Sequence, residues 1–325
     1  MSIKKLVDLL VRENNLTFYK YNSQGYEFLA HSVKLELSIE NHIYESWGVS
    51  ENEDLAFLKA LMELIERVSL SHYCSLTYKG SFFRTYSIHD ISNKFSIPIH
   101  LLVPSNSNGL AIGVSPMRTK ASALNELIER HVLLSALYLN VSPEKVPDKF
   151  IKIPDIHNHQ ISFYFWKLQS KYIVLAVDLL SNGGYLFTHS CDDNLEKSVQ
   201  KSFEEMIPNI IHFDRHSVQD SSVTTVIRHN DINSFSSFWK FSPNKKIEEF
   251  IHGAKLGGSI PVLENIFFSS QPIPSVFNVL DIPLFCYRAI SPQAQQLFFD
   301  NWNGRYMNPR LLGKGSFPSY PHFIS

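Results

Sequence analysis

SNGLAIGVSPMRTKASALNELIER, residues 107–130, contains a turn signal, a helical spacing and an octapeptide that the chain uses twice. Its last eight residues, ALNELIER (123–130), match ALMELIER (60–67) at seven of eight positions, and the paired glutamates lie 63 residues apart. Each copy follows a Gly-Val-Ser turn signal, Gly48-Val49-Ser50 before the first and Gly113-Val114-Ser115 before the second. The chain is therefore expected to hold two loop-then-helix units of the same kind. A weaker third copy lies in KSVQKSFEEMIPNII (197–211). There Phe203, Met206 and Ile207 keep the offsets from Glu205 that Leu61, Leu64 and Ile65 keep from Glu63, while Pro208 and Asn209 replace the later glutamate and arginine.

The apolar residues of these segments recur at helical spacing: Leu61, Leu64, Ile65 and Val68; Leu124, Leu127 and Ile128; Val199, Phe203, Met206, Ile207 and Ile210. Three amphipathic helices are predicted. Between them SFFRTYSI (81–88), YIVLAVDLL (172–180), GGYLFTHS (183–190) and IPLFCYRAI (282–290) read as strands, with a turn at Ser181-Asn182-Gly183-Gly184. The fold class that follows is α+β, a mixed α/β layer structure. Residues 217–245, rich in Ser, Asn and Asp, read as loop with short helices, and the tail GKGSFPSYPHFIS (313–325) as irregular.

Composition narrows the function. With 44% hydrophobic and 19% charged residues in a chain of 325, there is apolar surface for a large core, and disorder is excluded as the general state. A net charge of −1 leaves no cationic field for a phosphate backbone, so no nucleic acid is expected as partner. Cys74, Cys191 and Cys286 are widely spaced without a Cys-x-x-Cys pair, which fits a reducing cytoplasm. The opening MSIKKLVDLLVREN reads as an amphipathic helix, its leucines interrupted by Asp8 and Arg12. With no apolar run of spanning length elsewhere, no membrane association is expected. Fourteen histidines include no His-Glu-x-x-His helix, and no Gly-x-x-x-x-Gly-Lys-Ser/Thr loop occurs. Asp214-Arg215-His216 has no nucleophile elbow to act on.

The chemistry lies on the polar side of the repeat. Positions i, i+3 and i+4 of a helix share a face, so Glu63, Glu66 and Arg67 project together, as do Glu126, Glu129 and Arg130. A single such face is ordinary solvated helix, its Glu and Arg four apart contributing about 0.2–0.5 kcal/mol. Two copies related by a pseudo-twofold arrangement would bring four carboxylates to one cleft. Unit charges about 4 Å apart repel by about 4 kcal/mol at an effective dielectric near 20, so cations must accompany them. Mg²⁺, which binds through carboxylates, water and substrate phosphates, suits that need and implies a nucleoside triphosphate.

The Ser-Asn-Gly-Leu-Ala-x-Gly loop leading into a Glu-x-x-Glu-Arg helix at residues 107–130 resembles the hallmark of the YcaO family. WGVSENEDLAFLKALMELIER (47–67), with Ala56 and Ala60 at small positions, is similar to the family's earlier helix. RAISPQAQQLFF (288–299) and Asn308-Pro309-Arg310 are similar to the late region of its azoline-forming members. The resemblance implies one YcaO domain over residues 1–325, with a helix-and-strand region to about residue 45 and the family core from 46 onward. It implies ATP and Mg²⁺ as cofactors, the metal held by Glu63, Glu66, Glu126 and Glu129. Glu66, Glu129 and Arg130 then serve catalysis, and Lys59, Glu63, Ser122, Glu126, Lys201 and Glu205 the nucleotide. The implied reaction phosphorylates a peptide amide oxygen after attack by a Cys, Ser or Thr side chain, giving an azoline in a ribosomally made precursor peptide. Thioamide or amidine formation by an external nucleophile is the alternative chemistry. Implied partners are the precursor peptide, an E1-like peptide-recognition protein and an FMN-dependent dehydrogenase, and a homodimer is compatible.

Several positions depart from the family pattern: Lys59 for a usual Ser, Lys201 for a usual Arg, Val114 and Arg118 for a usual Asn and Glu, and Ser122 for a Gln-like residue. Lys does not reproduce a bidentate Arg contact. These departures keep open a second reading, a degenerate YcaO scaffold that binds a partner without ATP turnover.

Overall fold

The computed structural model describes residues 17–21, 31–39, 42–78, 85–87, 94–95, 108–179, 185–217, 250–251, 259–271, 273–280, 282–295, 311 and 314–315. The expected N-terminal helix, the turn at 181–184, nearly all of the 217–245 segment and most of the C-terminal tail lie outside these residues. The chain divides into two compact units, Met1–Leu127 with Glu264–Pro292, and Ile128–Leu263 with Gln293–Ser325.

In the first unit, β1 (Thr17–Tyr21), β2 (His31–Ile39) and β3 (His42–Ser50) form an antiparallel sheet in that order. Helix α1 (Glu53–Tyr78) lies on β2 and β3. Period-2 alternation in β2 sends Val33, Leu35 and Leu37 inward, where they meet Ala56, Phe57, Ala60, Leu61, Leu64, Ile65 and Val68 of α1. Full burial of each such Leu, Ile or Val stabilises by about 1.5–3 kcal/mol. Asn52 caps α1, its Oδ1 accepting from Leu55 N at 3.1 Å, and Glu53 and Asp54 complement the helix dipole. Gly48, Ala56 and Ala60 let β3 pass against the helix backbone, and Ser46 Oγ donates to the Ala60 carbonyl at 2.7 Å.

The same unit holds a second sheet of β4 (Thr85–Ser87), β5 (Lys94–Phe95), β6 (Leu110–Gly113), β11 (Phe267–Ser270) and β12 (Phe285–Ile290), in the order β5-β4-β11-β12-β6. Strand β6 leads through Val114 and Ser115 into α2 (Pro116–Leu139). Pro116 opens that helix, where its fixed φ and missing N–H cost nothing. Thr119 donates through both N (2.9 Å) and Oγ1 (2.7 Å) to the Ser115 carbonyl. Gly109, at φ +69°, lies against β12 and accepts from Ala289 N at 2.7 Å.

In the second unit β7 (Glu144–Lys145), β8 (Gln160–Leu168), β9 (Lys171–Leu179) and β10 (Tyr185–Asp192) form an antiparallel sheet in the order β10-β9-β8-β7. Helix α3 (Leu195–Ser217) packs on β9 and β10 through Val199, Phe203, Met206, Ile207 and Ile210, the stripe read from the sequence. Small hydroxyls seat it: Ser190 Oγ donates to the Ser198 carbonyl and Thr188 Oγ1 to the Ser202 carbonyl, both at 2.5 Å. Every residue from Leu127 to Leu139 of α2 is buried, so that half of the helix is covered on all sides and not on one face. It ends at Asn140 (φ +53°), beyond which Val141 N returns to the Ala136 carbonyl at 2.8 Å. The mixed helix-and-sheet class and the three helices are as expected, and the four predicted strands overlap β4, β9, β10 and β12. Among the described residues, no helix is long and apolar enough to cross a membrane.

Candidate active site

Helix α2 runs from one unit into the other, carrying Glu126 in the first and Glu129 and Arg130 in the second.

In the first unit Glu63 is committed to the protein. Its Oε1 accepts from Arg67 Nε (3.0 Å) and Nη2 (2.6 Å), and its Oε2 accepts from Trp47 N at 2.9 Å, tying the β3 backbone to α1. Glu66, one turn on, has a different environment. Burial pushes its carboxyl well above the usual carboxylate range, and Glu126 and Glu63 push it further, against the pull of Arg67 and Arg288. Glu66 of one repeat and Glu126 of the other thus stand in each other's field, a like-charge relationship that a cation relieves. Arg288 of β12, 1% exposed, is the buried counter-charge on this side.

In the second unit Glu129, Arg130 and His189 form a buried group. His189 Nδ1 lies 2.8 Å from Glu129 Oε1, and Arg130 Nη1 lies 2.9 Å from His189 Nε2. Direct contact between Arg130 and Glu129 is looser, Nε to Oε1 at 3.9 Å. Burial alone would raise the Glu129 carboxyl, but His189, Arg130 and Lys201 outweigh it and hold the group below its ordinary value. Lys201 is anchored by Asp192, Nζ to Oδ2 at 2.6 Å. Burial opposes ionisation of Asp192, and the hydrogen bonds from Lys201 and Asn194 N reverse that and lower its carboxyl.

The other sequence-derived candidates are peripheral within their own units. Lys59 is exposed, with Nζ on the Val49 carbonyl at 3.0 Å. Ser122 and Arg118 are exposed on the N-terminal half of α2, Val114 (49% exposed) and Met117 (79%) precede them, and Glu205 is exposed on α3 one turn beyond Lys201. The sequence pointed to neither His189 nor a site role for Arg288. The first is joined to Arg130 across 59 positions, which leaves no local pattern.

Among the described residues, no three His, Cys, Asp or Glu side chains are gathered into a closed metal cage. Oxygen donors in a mutually repelling pair still suit Mg²⁺, which binds through one or two carboxylates and completes its shell with water and phosphate.

The model of a family described as the ATP- and Mg²⁺-binding YcaO cyclodehydratases matches residues 93–266, more than half of the chain. The chain belongs to the YcaO family. The match includes the second glutamate repeat and α3, while the first repeat precedes it. Solved structures agree on the fold. A YcaO from Methanopyrus kandleri bound with AMPPCP and Mg²⁺ aligns at a TM-score of 0.60 and 12% identity, over 98% of this chain and 94% of that one. The E. coli microcin synthetase McbBCD complex with pro-MccB17 bound aligns at 0.59 and 11%, over 86% and 88%. A heterocyclase in complex with substrate and cofactor aligns at 0.66 and 10%, over all of this chain, which spans 56% of that protein's length. No curated protein matches the sequence. The YcaO assignment agrees with the resemblance carried by the doubled Glu-x-x-Glu-Arg motif, and the family's cofactors are the expected ATP and Mg²⁺.

Proposed function

We propose that this YcaO chain is an ATP- and Mg²⁺-dependent cyclodehydratase that forms azolines from Cys, Ser or Thr residues of a ribosomally made precursor peptide. The observation that carries the reading is the electrostatic state of Glu66, whose burial beside Glu126 is unfavourable until a cation joins them. By the family resemblance Glu63, Glu66, Glu126 and Glu129 would hold the Mg²⁺ that accompanies ATP, Glu63 being itself fixed by Arg67 and Trp47 N. Arg130 supports the phosphates. Lys59, Ser122, Lys201 and Glu205 would serve the nucleotide as the resemblance implies, and Asp192 holds Lys201 in place. Bound ATP supplies the phosphoryl group that turns a poor amide-oxygen leaving group into a good one. The protein's share is to hold charge where it develops and to exclude competing geometries.

The partners that fit are the precursor peptide, an E1-like recognition protein that presents it, and an FMN-dependent dehydrogenase acting on the azoline. Peptide-dependent release of phosphate from ATP, abolished by Glu66→Gln, tests the activity. Mass analysis separates azoline formation, a loss of water, from thioamide formation, a replacement of oxygen by sulfur. A second reading, a YcaO scaffold without turnover, is favoured by Val114 and Arg118, which put an exposed apolar side chain just before α2 and an exposed cationic one in its first turn. Wild-type protein that binds a partner protein and releases no phosphate supports the scaffold.

A further inference from the structure

Strands β6 and β12 of the first unit end together. Gly113 is paired with Phe285, so Val114, which follows the one, and Leu284, which precedes the other, leave the second sheet at the same end. The connection from β11 to β12, residues 271–284, starts there too, with Gln271 N donating to the Cys286 carbonyl at 2.9 Å. Its 3₁₀ turn, Ser275–Leu280, sends Phe277 and Leu280 into the core of the unit, and Ile273, Ile282 and Leu284 pack half-buried against that core. They surround an open cavity of about 450 Å³ lined by Ile273, Phe277, Asn278, Ile282, Pro283 and Leu284. The volume is within the roughly 300–1,000 Å³ of ligand pockets. Asn278, itself exposed, is the single polar side chain of the lining, so the hollow suits an apolar group and offers a phosphate nothing.

Two large apolar side chains stand in water at the same end of the sheet, Val114 at 49% exposure and Met117, in the first turn of α2, at 79%. Charge accompanies them. Residues 110–122, LAIGVSPMRTKAS, hold Arg118 and Lys120, both exposed, and no acid, while residues 271–284 hold no base and one acid, Asp281. The balance of the two segments is positive, and the Lys120 ammonium is kept on the sheet 4.9 Å from the Tyr287 ring centroid. A pocket for one apolar anchor beside exposed charge is how interfaces concentrate affinity and select a partner.

We propose that this end of the sheet is a docking surface for a segment of another polypeptide, one whose bulky apolar side chain fills the cavity while acidic side chains beside it meet Arg118 and Lys120. The inference does not depend on ATP turnover and stands under either functional reading.

The test uses the full chain and three short synthetic peptides: Leu-Phe flanked by glutamates, Leu-Phe flanked by lysines, and Gly-Ser flanked by glutamates. Affinity is measured by fluorescence anisotropy, and the place of binding by the methyl signals of Ile273, Ile282 and Leu284. The glutamate-flanked Leu-Phe peptide should bind best, shift those signals and weaken as salt is raised. Asn278→Trp, which blocks the cavity from an exposed position, and Arg118→Glu combined with Lys120→Glu should each cost about tenfold in its affinity, the second change favouring the lysine-flanked peptide. All three positions are exposed, so the variants keep the core intact. Equal binding of all three peptides, no binding, or shifts confined to other methyl groups overturns the proposal. Sedimentation of the chain alone supplies the last outcome: a dimer that Met117→Asp dissociates assigns the surface to a second copy and overturns the acidic partner.

Discussion

Gly48 of β3 lies so close to Ala56 of α1 that a Cβ at position 48 would stand 1.9 Å from the Ala56 carbonyl oxygen and 2.6 Å from Ala60 N. Both obstacles are helix backbone, which has no rotamer to change. The strand carrying Gly48 also carries the Trp47 N–H that holds Glu63, so packing at this point sets the acidic face of α1.

Gly48→Ala is therefore expected to destabilise the protein by about 3 kcal/mol or more, the upper end for overpacking. Urea unfolding monitored by fluorescence measures it. A loss under 1 kcal/mol would mean that the strand and helix stand further apart than described.

Gly109 makes a second such point. At φ +69°, with the Ala289 carbonyl oxygen 2.4 Å from where its Cβ would be, it permits neither the backbone angle nor the volume of another residue. Gly109→Val should fold poorly, with a lowered melting temperature and a shifted Leu110–Gly113 strand. A melting temperature equal to wild type would contradict the described turn.

His131 is buried at the point where α2 enters the second unit. Its Nε2 donates to the Pro261 carbonyl at 2.8 Å and its Nδ1 accepts from Gln295 N at 2.9 Å. Burial lowers its pKa to about 4, the Pro261 bond opposing the shift only in part. The folded pKa is below the unfolded value near 6.5, so the unfolded chain takes up the proton first. The stability contributed is complete above about pH 6.5 and is lost toward pH 4, at up to about 1.4 kcal/mol per pH unit. Unfolding free energies across this range, compared with His131→Gln, should show a steeper acid slope for the wild type. Equal slopes would remove the buried neutral histidine from the account.

Cys191 and Cys286 should resist alkylation. Burial pushes both thiols far up, and the nearby charge of Glu129 for the first and Glu66 for the second adds to it. Peptide mapping after iodoacetamide treatment of native protein is expected to find both unmodified, and modification only after denaturation. Rapid native labelling of either would show its surroundings to be open.

The helices were legible because an apolar stripe with a 3.6-residue period survives in Leu61, Leu64 and Ile65 and in Val199, Phe203 and Met206, whatever packs against it. Strand β9 was legible for the same kind of reason, a run of β-branched and aliphatic residues. The burial of α2 on every side after Leu127 was not, since nothing in an amphipathic spacing tells what later segments will cover the polar face. The doubled motif exposed the candidate glutamates, yet not the difference between them. Glu63 is quenched by a backbone N–H 16 positions away and Glu129 by an imidazole 60 positions away, while Glu66 is left facing Glu126. Such pairings depend on tertiary approach and leave no periodic trace.

Glu66 supplies the most direct measurement. Its raised carboxyl means that the stability it contributes is complete below the ordinary carboxylate pKa and lost as pH rises through the raised value, so at neutral pH the empty site is under strain. Thermal unfolding of wild type and Glu66→Gln at neutral pH, each with and without Mg²⁺ and a non-hydrolysable ATP analogue, reads both halves of the claim at once. The predicted result is a metal-free Glu66→Gln protein more stable than wild type by on the order of 1 kcal/mol, with the wild type alone gaining stability when metal and nucleotide are added. A Glu66→Gln protein that is less stable when empty, yet is stabilised by Mg²⁺ and nucleotide as much as wild type, would contradict it.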